Sequence, residues 1–410
     1  MKTKNNIPTG YKDSEVGVIP QEWEVKRLVD LCHNTGDYGI NAPAIPYQED
    51  LPTYLRITDI DGWGKFIKTD KASVNNPNSS QYILREGDIV FARTGATVGK
   101  TYLYAPKDGQ LIFAGFLIRF TPNPNKIIPY YLKVYTETTT YWNWVRVISQ
   151  RSGQPGINSV EYGTMKLAVP PMEEQRKIAE ILGVWDEAIE KQSRLIEKLE
   201  LRKRALMQRL LTDRTRLPGF TSPWQKVKLG EIFKERNETK CEHIPLLSIT
   251  AERGVILQSE SDKKDTSNDD KSKYKRISPN DIGYNTMRMW QGRSALSAME
   301  GIVSPAYTIV TPKVGIAPLF ISELIKQPRV VYDFWTHSQG LVGDTLNCKF
   351  HDFSQVKVAI PSLPEQKAIA EVLTTADDEI ATHRKKLDAL RLQKRGLMQQ
   401  LLTGKTRVKI

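Results

Sequence analysis

The sequence has no long apolar run. Its opening, MKTKNNIPTG, lacks the hydrophobic core of a secretion signal, and no stretch of about 18 uncharged apolar residues occurs that would cross a bilayer. A soluble, cytoplasmic protein without membrane contact is expected. Cysteine is scarce: Cys32, Cys241 and Cys348 are odd in number and far apart, which excludes a disulfide framework. A histidine follows each of them (His33, His243, His351), yet the paired short spacings of a zinc site are missing, so no metal is expected. Catalytic signatures are missing too. There is no HExxH, no GxSxG, no EF-hand loop, no Gly-rich dinucleotide fingerprint and no Asn/Asp-Pro-Pro-aromatic tetrapeptide of amino-methyltransferases. The stretch Gly95-Ala-Thr-Val-Gly99-Lys100-Thr101 comes nearest, with one residue fewer between its glycines than the phosphate-binding pattern requires and a β-like run after it. It reads instead as a glycine turn that brings Arg93 and Lys100 toward a backbone phosphate. The chain is expected to hold no cofactor and to catalyse nothing alone.

What is there is positive charge and a repeat. Lys and Arg number 59 against 47 Asp and Glu, a net charge of +12, which favours a polyanionic partner. The stretch from Pro170 to Arg216 is written again from Pro361 to Arg407. At a constant offset of 191 and without a gap, Gln175 aligns with Gln366, Ile178 with Ile369, Asp186 with Asp377, Leu206-Met207-Gln208 with Leu397-Met398-Gln399, and Thr215-Arg216 with Thr406-Arg407. A self-match at this distance signals internal duplication. It extends to the start of each half, where Trp23 answers Trp224 and Leu28 answers Leu229.

Both copies carry an alternating four-and-three apolar ladder, the seam of a coiled coil: Ile178, Leu182, Trp185, Ile189, Ile196, Leu199, Leu206 and Leu210, then Ile369, Leu373, Ala376, Ile380, Leu387, Leu390, Leu397 and Leu401. Each helix, at about 40 residues and ~1.5 Å per residue, would be a rod roughly 60 Å long. Polar residues break the ladders at matching places, Gln192 and Lys203 in the first and His383 and Lys394 in the second. Polar seam residues act as register markers. In an antiparallel pair, a register with Gln192 opposite Lys394 also sets Lys203 opposite His383, and that register is expected here. Ser362 and Glu365 are placed for a capping box, and Gly404 for a helix stop. The chain therefore divides into residues 1–169, a helix over 170–216, residues 217–360 and a helix over 361–410.

The two globular parts read as strands, turns and an aromatic-rich helix, similar in plan and different in loops. Residues 260–275, polar and alternating in charge, read as a mobile loop. The residue types suited to reading base edges and phosphates cluster near the turns. In the first half they are Arg93, Thr94, Lys100, Arg146, Gln150, Arg151, Gln154 and Asn158; in the second, Arg288, Trp290, Gln291, Arg293, His337, Gln339 and Asn347.

These features together resemble the DNA-specificity subunit of type I restriction-modification enzymes. The resemblance is carried by the paired signatures Pro170-Pro171-Met172-Glu173-Glu174-Gln175-Arg176-Lys177-Ile178-Ala179 and Pro361-Ser362-Leu363-Pro364-Glu365-Gln366-Lys367-Ala368-Ile369-Ala370, with Leu-Met-Gln at both far ends. It covers almost the whole chain. It implies an α+β protein with two target-recognition domains of mixed α/β structure, separated by two long helices that form an antiparallel coiled coil, the whole a pseudo-twofold repeat. It also implies that each domain reads one half of a split double-stranded DNA target while the helix pair sets the spacer and docks two methyltransferase subunits. Those partners would bring S-adenosylmethionine and methylate adenine N6, and restriction subunits joined through them would use ATP and Mg²⁺ for translocation and cleavage. Two other readings predict different behaviour: a fused restriction-methylation subunit would methylate DNA alone, and a coiled-coil scaffold would show no salt-dependent DNA binding.

Overall fold

In the computed structural model, residues 7–250, 253–261, 265, 267–340 and 346–410 are described. The chain forms two compact units. One runs up to Ser193 and takes in Lys386–Ile410; the other is Arg194–Lys385. The division differs from the segments expected from the sequence, because each unit takes along the beginning of one long helix and the end of the other.

The first unit contains an antiparallel sheet in the order Asp37–Tyr38, Leu117–Phe120, Ile89–Ala92, Thr101–Leu103. A second sheet orders Leu111–Phe113, Thr53–Leu55, Ala72–Ser73 and Ile45–Pro46. The strands Glu24–Arg27 and Lys166–Val169 pair as a ribbon that leads into the long helix Met172–Leu210. The second unit repeats the first sheet as Phe233–Arg236, Tyr307–Pro312, Ile282–Asn285, Ser294–Leu296. Its ribbon, Gln225–Lys228 with Lys357–Ile360, leads into the long helix Leu363–Leu401. Of the segment 260–275, residues 262–264 and 266 lie outside the described residues, and its last residue opens the strand Lys275–Ile277.

Each core joins a sheet to helix ends. In the first unit Ile178 and Leu182 pack with Trp23, Met398, Leu401 and Leu402; in the second, Leu210 and Leu211 share a core with Ile369, Leu373 and Phe353. The two helices thus run in opposite directions within each unit. Most ladder residues are buried, while Trp185, Leu206, Leu390 and Leu397 are half-buried.

The repeated Glu-Gln pair is explained by its hydrogen bonds. Gln175 accepts from the Ile128 amide (2.9 Å) and donates to the Pro170 carbonyl (3.0 Å); Gln366 accepts from Ala317 N–H (2.9 Å) and donates to Pro361 (2.9 Å). Each amide ties a helix start to its own sheet domain and satisfies backbone groups that would otherwise be buried and unpaired. The preceding carboxylates are crossed: Glu174 holds Arg407 (2.7 and 3.0 Å), and Glu365 holds Arg216 (2.6 and 2.6 Å). Glu365 therefore gives both oxygens to Arg216 rather than serving a capping box with Ser362. Gly404 ends its helix as expected, with a φ of 69° that favours glycine.

The two lysines that break the ladders are held by carboxylates of the opposite helix. Lys394 Nζ donates to Asp186 (2.8 and 3.0 Å), and Lys203 Nζ donates to Asp377 (2.6 and 2.7 Å). A shielded ammonium is well matched by a carboxylate, which gives a charge-assisted hydrogen bond. The pairs are images of each other under the 191-residue offset, since 186 maps to 377 and 203 to 394.

The two pairs differ in environment. The Lys394 side chain is 9% exposed and also reaches Glu137 (3.5 Å), and the Tyr130 hydroxyl donates to Asp186; Asp377 is 55% exposed. Lys394→Met is expected to cost about 3 kcal/mol by stranding a shielded carboxylate, whereas Lys203→Met costs about 0.5 kcal/mol, as for a surface pair. Urea unfolding of the two variants checks this, and equal losses would show that burial does not separate the pairs.

Candidate nucleic-acid interface

In each unit three elements converge. In the first they are the turn after the central strand (Arg93–Gly99), the helix Thr139–Ile148 and the loop 150–158. The loop is tied to the turn by Gly95 N–H to Pro155 carbonyl (2.9 Å) and Ile157 N–H to Arg93 carbonyl (2.9 Å). Gly99, at φ 88°, lies so close to Val145 and Trp142 that a Cβ would stand 2.7 Å from a Val145 methyl. That glycine lets the turn close onto the helix.

The second unit uses the same scheme. The turn Thr286–Gly292 abuts the helix Pro328–His337, where a Cβ on Gly292 would lie 3.0 Å from Val331. Cys348 N–H donates to the Thr286 carbonyl (2.9 Å), the counterpart of the Ile157–Arg93 bond. Residues 341–345 lie outside the described residues.

The helices are amphipathic in a consistent sense. Tyr141 and Val145 are buried while Trp142, Asn143, Arg146 and Val147 are exposed; Val330 and Phe334 are buried while Arg329, Tyr332, Trp335 and His337 are exposed. The guanidinium of Arg93 lies over the exposed Tyr38 ring, 4.9 Å from its centroid, which fixes a cation beside the turn. Tyr332 and Trp335 stand together with centroids 5.6 Å apart. Arg146, Gln154, Arg288, Gln291 and Arg293 are exposed on these elements, and Thr94, half-buried, pairs its backbone with Gly156.

Other expected site residues are held by the fold. Lys100 turns inward and donates to the Ile60 carbonyl (3.1 Å) instead of presenting its charge. Asn158 caps the short helix Ser159–Gly163, accepting from Glu161 N–H (2.9 Å). Arg151 is paired with Glu161 and with the carbonyls of Ile148 and Gln150. Gln339 donates to Asp352 (3.0 Å), Trp290 Nε1–H to the Met287 carbonyl (3.0 Å), and His337 Nδ1 lies 2.7 Å from the Asp333 carbonyl. Loop residues make these local bonds because isolated short turns leave backbone groups that need partners.

The exposed apolar and aromatic side chains Tyr38, Phe116, Trp142, Met287, Tyr332 and Trp335 were missed among the candidates. The aromatic richness of both helical segments is the signal for Trp142, Tyr332 and Trp335.

Burial pushes the thiols of Cys32 and Cys348 up to about 12, so neither is an available thiolate. Among the described residues no three His, Cys, Asp or Glu side chains gather as a metal site, and no helix is long and apolar enough to cross a membrane.

The model of the type I restriction modification DNA specificity domain matches residues 20–201 and 323–392 of this chain. The chain is 28% identical to a protein of Methanocaldococcus jannaschii named for the specificity subunit of the MjaX type I restriction enzyme, over 97% of both chains. It is 25% identical to the MjaVIII specificity subunit of the same organism, over 95% of this chain and 94% of that one. Among solved structures, a chain from a type I R-M system described for its complex assembly and conformational transition matches with a TM-score of 0.56 and 17% identity, covering 95% of this chain and 99% of that one. The type I restriction-modification S subunit from M. genitalium matches with a TM-score of 0.54 and 14% identity, covering 98% of each. These two likenesses show a shared fold. With its family signature extending over both ribbons' helices and most of their length, the chain belongs to the type I restriction modification DNA specificity domain family.

Proposed function

We propose that this chain chooses the DNA sequence for a type I restriction-modification complex by reading a split target, one half with each unit's turn, helix and loop. The observation that carries the reading is the recurrence of one backbone scheme with different side chains: half-buried Arg93 with exposed Trp142, Arg146 and Gln154 in one unit, exposed Arg288, Gln291, Arg293 and Trp335 in the other. A scaffold repeated with its outward residues changed is what two readers of different sequences require. The long helices, each 39 residues, serve as an antiparallel coiled coil that sets the spacer between half-sites and docks two methyltransferase subunits. The chain itself is non-catalytic. S-adenosylmethionine, ATP and Mg²⁺ belong to the methyltransferase and restriction partners.

Methylome sequencing of a host expressing the chain with its methyltransferase partner tests this by revealing both half-sites and the spacer. Arg93→Ala is expected to weaken target binding by about 1–3 kcal/mol and relax selection in one half-site only, and Arg288→Ala in the other. Deleting one heptad from both helices is expected to change the spacer and leave both half-sites as they were. A single undivided target, or one half-site altered by both substitutions, would sink the reading.

A further inference from the structure

The two ribbons that lead into the long helices share a feature that the reading loops do not. In the first, Arg27 and Lys166 are direct cross-strand partners; in the second, Lys228 and Lys357 are. All four are exposed. Like charges directly opposite on a strand pair repel and destabilise the ribbon, yet the arrangement occurs at the same register in both. A third cation joins each pair. Lys126 Nζ donates to the Asp30 carbonyl (2.9 Å), and Lys313 Nζ donates to the carbonyls of Gly230 and Glu231 (3.0 and 2.9 Å), in each case on the short turn that follows the ribbon's first strand. In the first unit Asp30 and Glu15 pair with Arg27 and Lys166, and these side chains line an open groove with Lys126. In the second, Lys228 donates to Gln355 (2.9 Å), and no carboxylate pairs with Lys228 or Lys357 among the described residues.

We infer that these basic ribbons, Arg27/Lys166/Lys126 and Lys228/Lys357/Lys313, bind the phosphodiester backbone of duplex DNA beside each half-site. The inference rests on the DNA-reading function proposed above and adds the backbone-binding surface. Chain path connects the two functions: Lys166 follows the candidate loop 150–158 after only the short helix Ser159–Gly163, and Lys357 follows the loop ending near Cys348 after only the short helix Phe350–Gln355. The turns meant to read bases differ between units, as different half-sites require. Phosphates are the same beside any sequence, so a surface that holds them needs the same cations in both units. The repulsion between Lys228 and Lys357 is relieved when an anion lies across them; in the first unit, where Asp30 and Glu15 already neutralise Arg27 and Lys166, those salt bridges exchange for phosphate.

The test uses the full-length chain with its methyltransferase partner, a duplex of random sequence and a duplex carrying the mapped target, across a salt series. The pairs Arg27→Gln with Lys166→Gln and Lys228→Gln with Lys357→Gln keep most of each stem and remove the charge. Each pair is expected to weaken both duplexes to the same degree and to lower the salt slope by roughly 2, at about 0.9 for each phosphate no longer neutralised, while the half-sites read by methylome sequencing stay the same. The second-unit pair is expected to lose more affinity, because it has no intramolecular carboxylates to displace. Unchanged affinity and slope in variants whose parent binds DNA overturn the inference. So does loss of the methyltransferase from the purified complex with the slope intact, which would make the ribbons a protein-docking surface. Failure of the unsubstituted complex to bind the target would instead strike the proposed function itself.

Discussion

Phe353→Ala is expected to destabilise the second unit by about 4 kcal/mol, at the upper range for deleting a buried aromatic ring. Phe353 is fully buried and sits at the crossing of four rings. Phe334 stacks on it at 5.3 Å and 7°, Tyr284 at 5.1 Å and 16°, Phe233 meets it edge-on at 5.5 Å, and Phe350 lies at 6.2 Å. These rings come from the edge strand, the central strand, the helix Pro328–His337 and the short helix Phe350–Gln355. No single neighbour can move into the vacated space without leaving the others, so the cavity stays open and its cost adds to the lost burial. The consequence reaches the candidate interface because Phe334 is the buried anchor of the helix that presents Tyr332 and Trp335. Hydrogen exchange checks the prediction: amides of Ile282–Asn285 should lose protection by about three orders of magnitude, the equivalent of the stability lost. Protection reduced less than tenfold would mean that the aromatic cluster repacks.

How much of this was legible in the sequence depends on the range of the interactions. The long helices and their buried stripes were readable because a 3.6-residue period repeats over many turns and is dictated locally. The ion pairs between the helices were not. The ladder identifies which residues face inward, but not which charges pair across the seam. Asp186 and Asp377, already aligned with each other by the repeat, hold Lys394 and Lys203. In the second sheet of the first unit the shortest strands were equally hidden, since Ile45–Pro46 and Ala72–Ser73, of two residues each, carry no alternation to detect. For the candidate interface, composition located the right turns but could not separate outward side chains from those used inside the loop. Arg93 and Asn158 look alike as candidates in the sequence. One stacks on an exposed ring and the other caps a helix.

Arg407→Ala and Arg216→Ala are expected to be costly for a reason that also explains the repeat. Each arginine closes the end of one long helix against the start of the other: Arg407 on Glu174 in the first unit, Arg216 on Glu365 in the second. The carboxylates are 0% and 1% exposed, so removing the guanidinium leaves a buried charge that water does not reach. Breaking such a pair typically costs about 3–5 kcal/mol. The two sites then diverge. Glu174 keeps a second donor, Trp23 Nε1–H at 2.8 Å, whereas the indole N–H of its counterpart Trp224 meets no acceptor, Glu365 included, among the described residues. Arg407 is also shared with the exposed Glu22 and is itself more exposed than Arg216, 36% against 24%. Arg216→Ala should therefore lie near the top of the range and Arg407→Ala near the bottom, about 5 against 3 kcal/mol. Replacing Glu365 by Gln in the Arg216→Ala background should recover part of the loss, because a neutral amide is far cheaper to bury than a carboxylate. Urea unfolding of the three variants decides the matter. If Arg216→Ala costs under about 1 kcal/mol, the range of an exposed pair, or if Glu365→Gln makes it worse, the crossed pairs are ornaments of the helix ends. If the predicted order holds, the Glu-Gln and Thr-Arg signatures are two halves of one clasp, which requires the motif at one end of each copy to find its complement at the opposite end of the other.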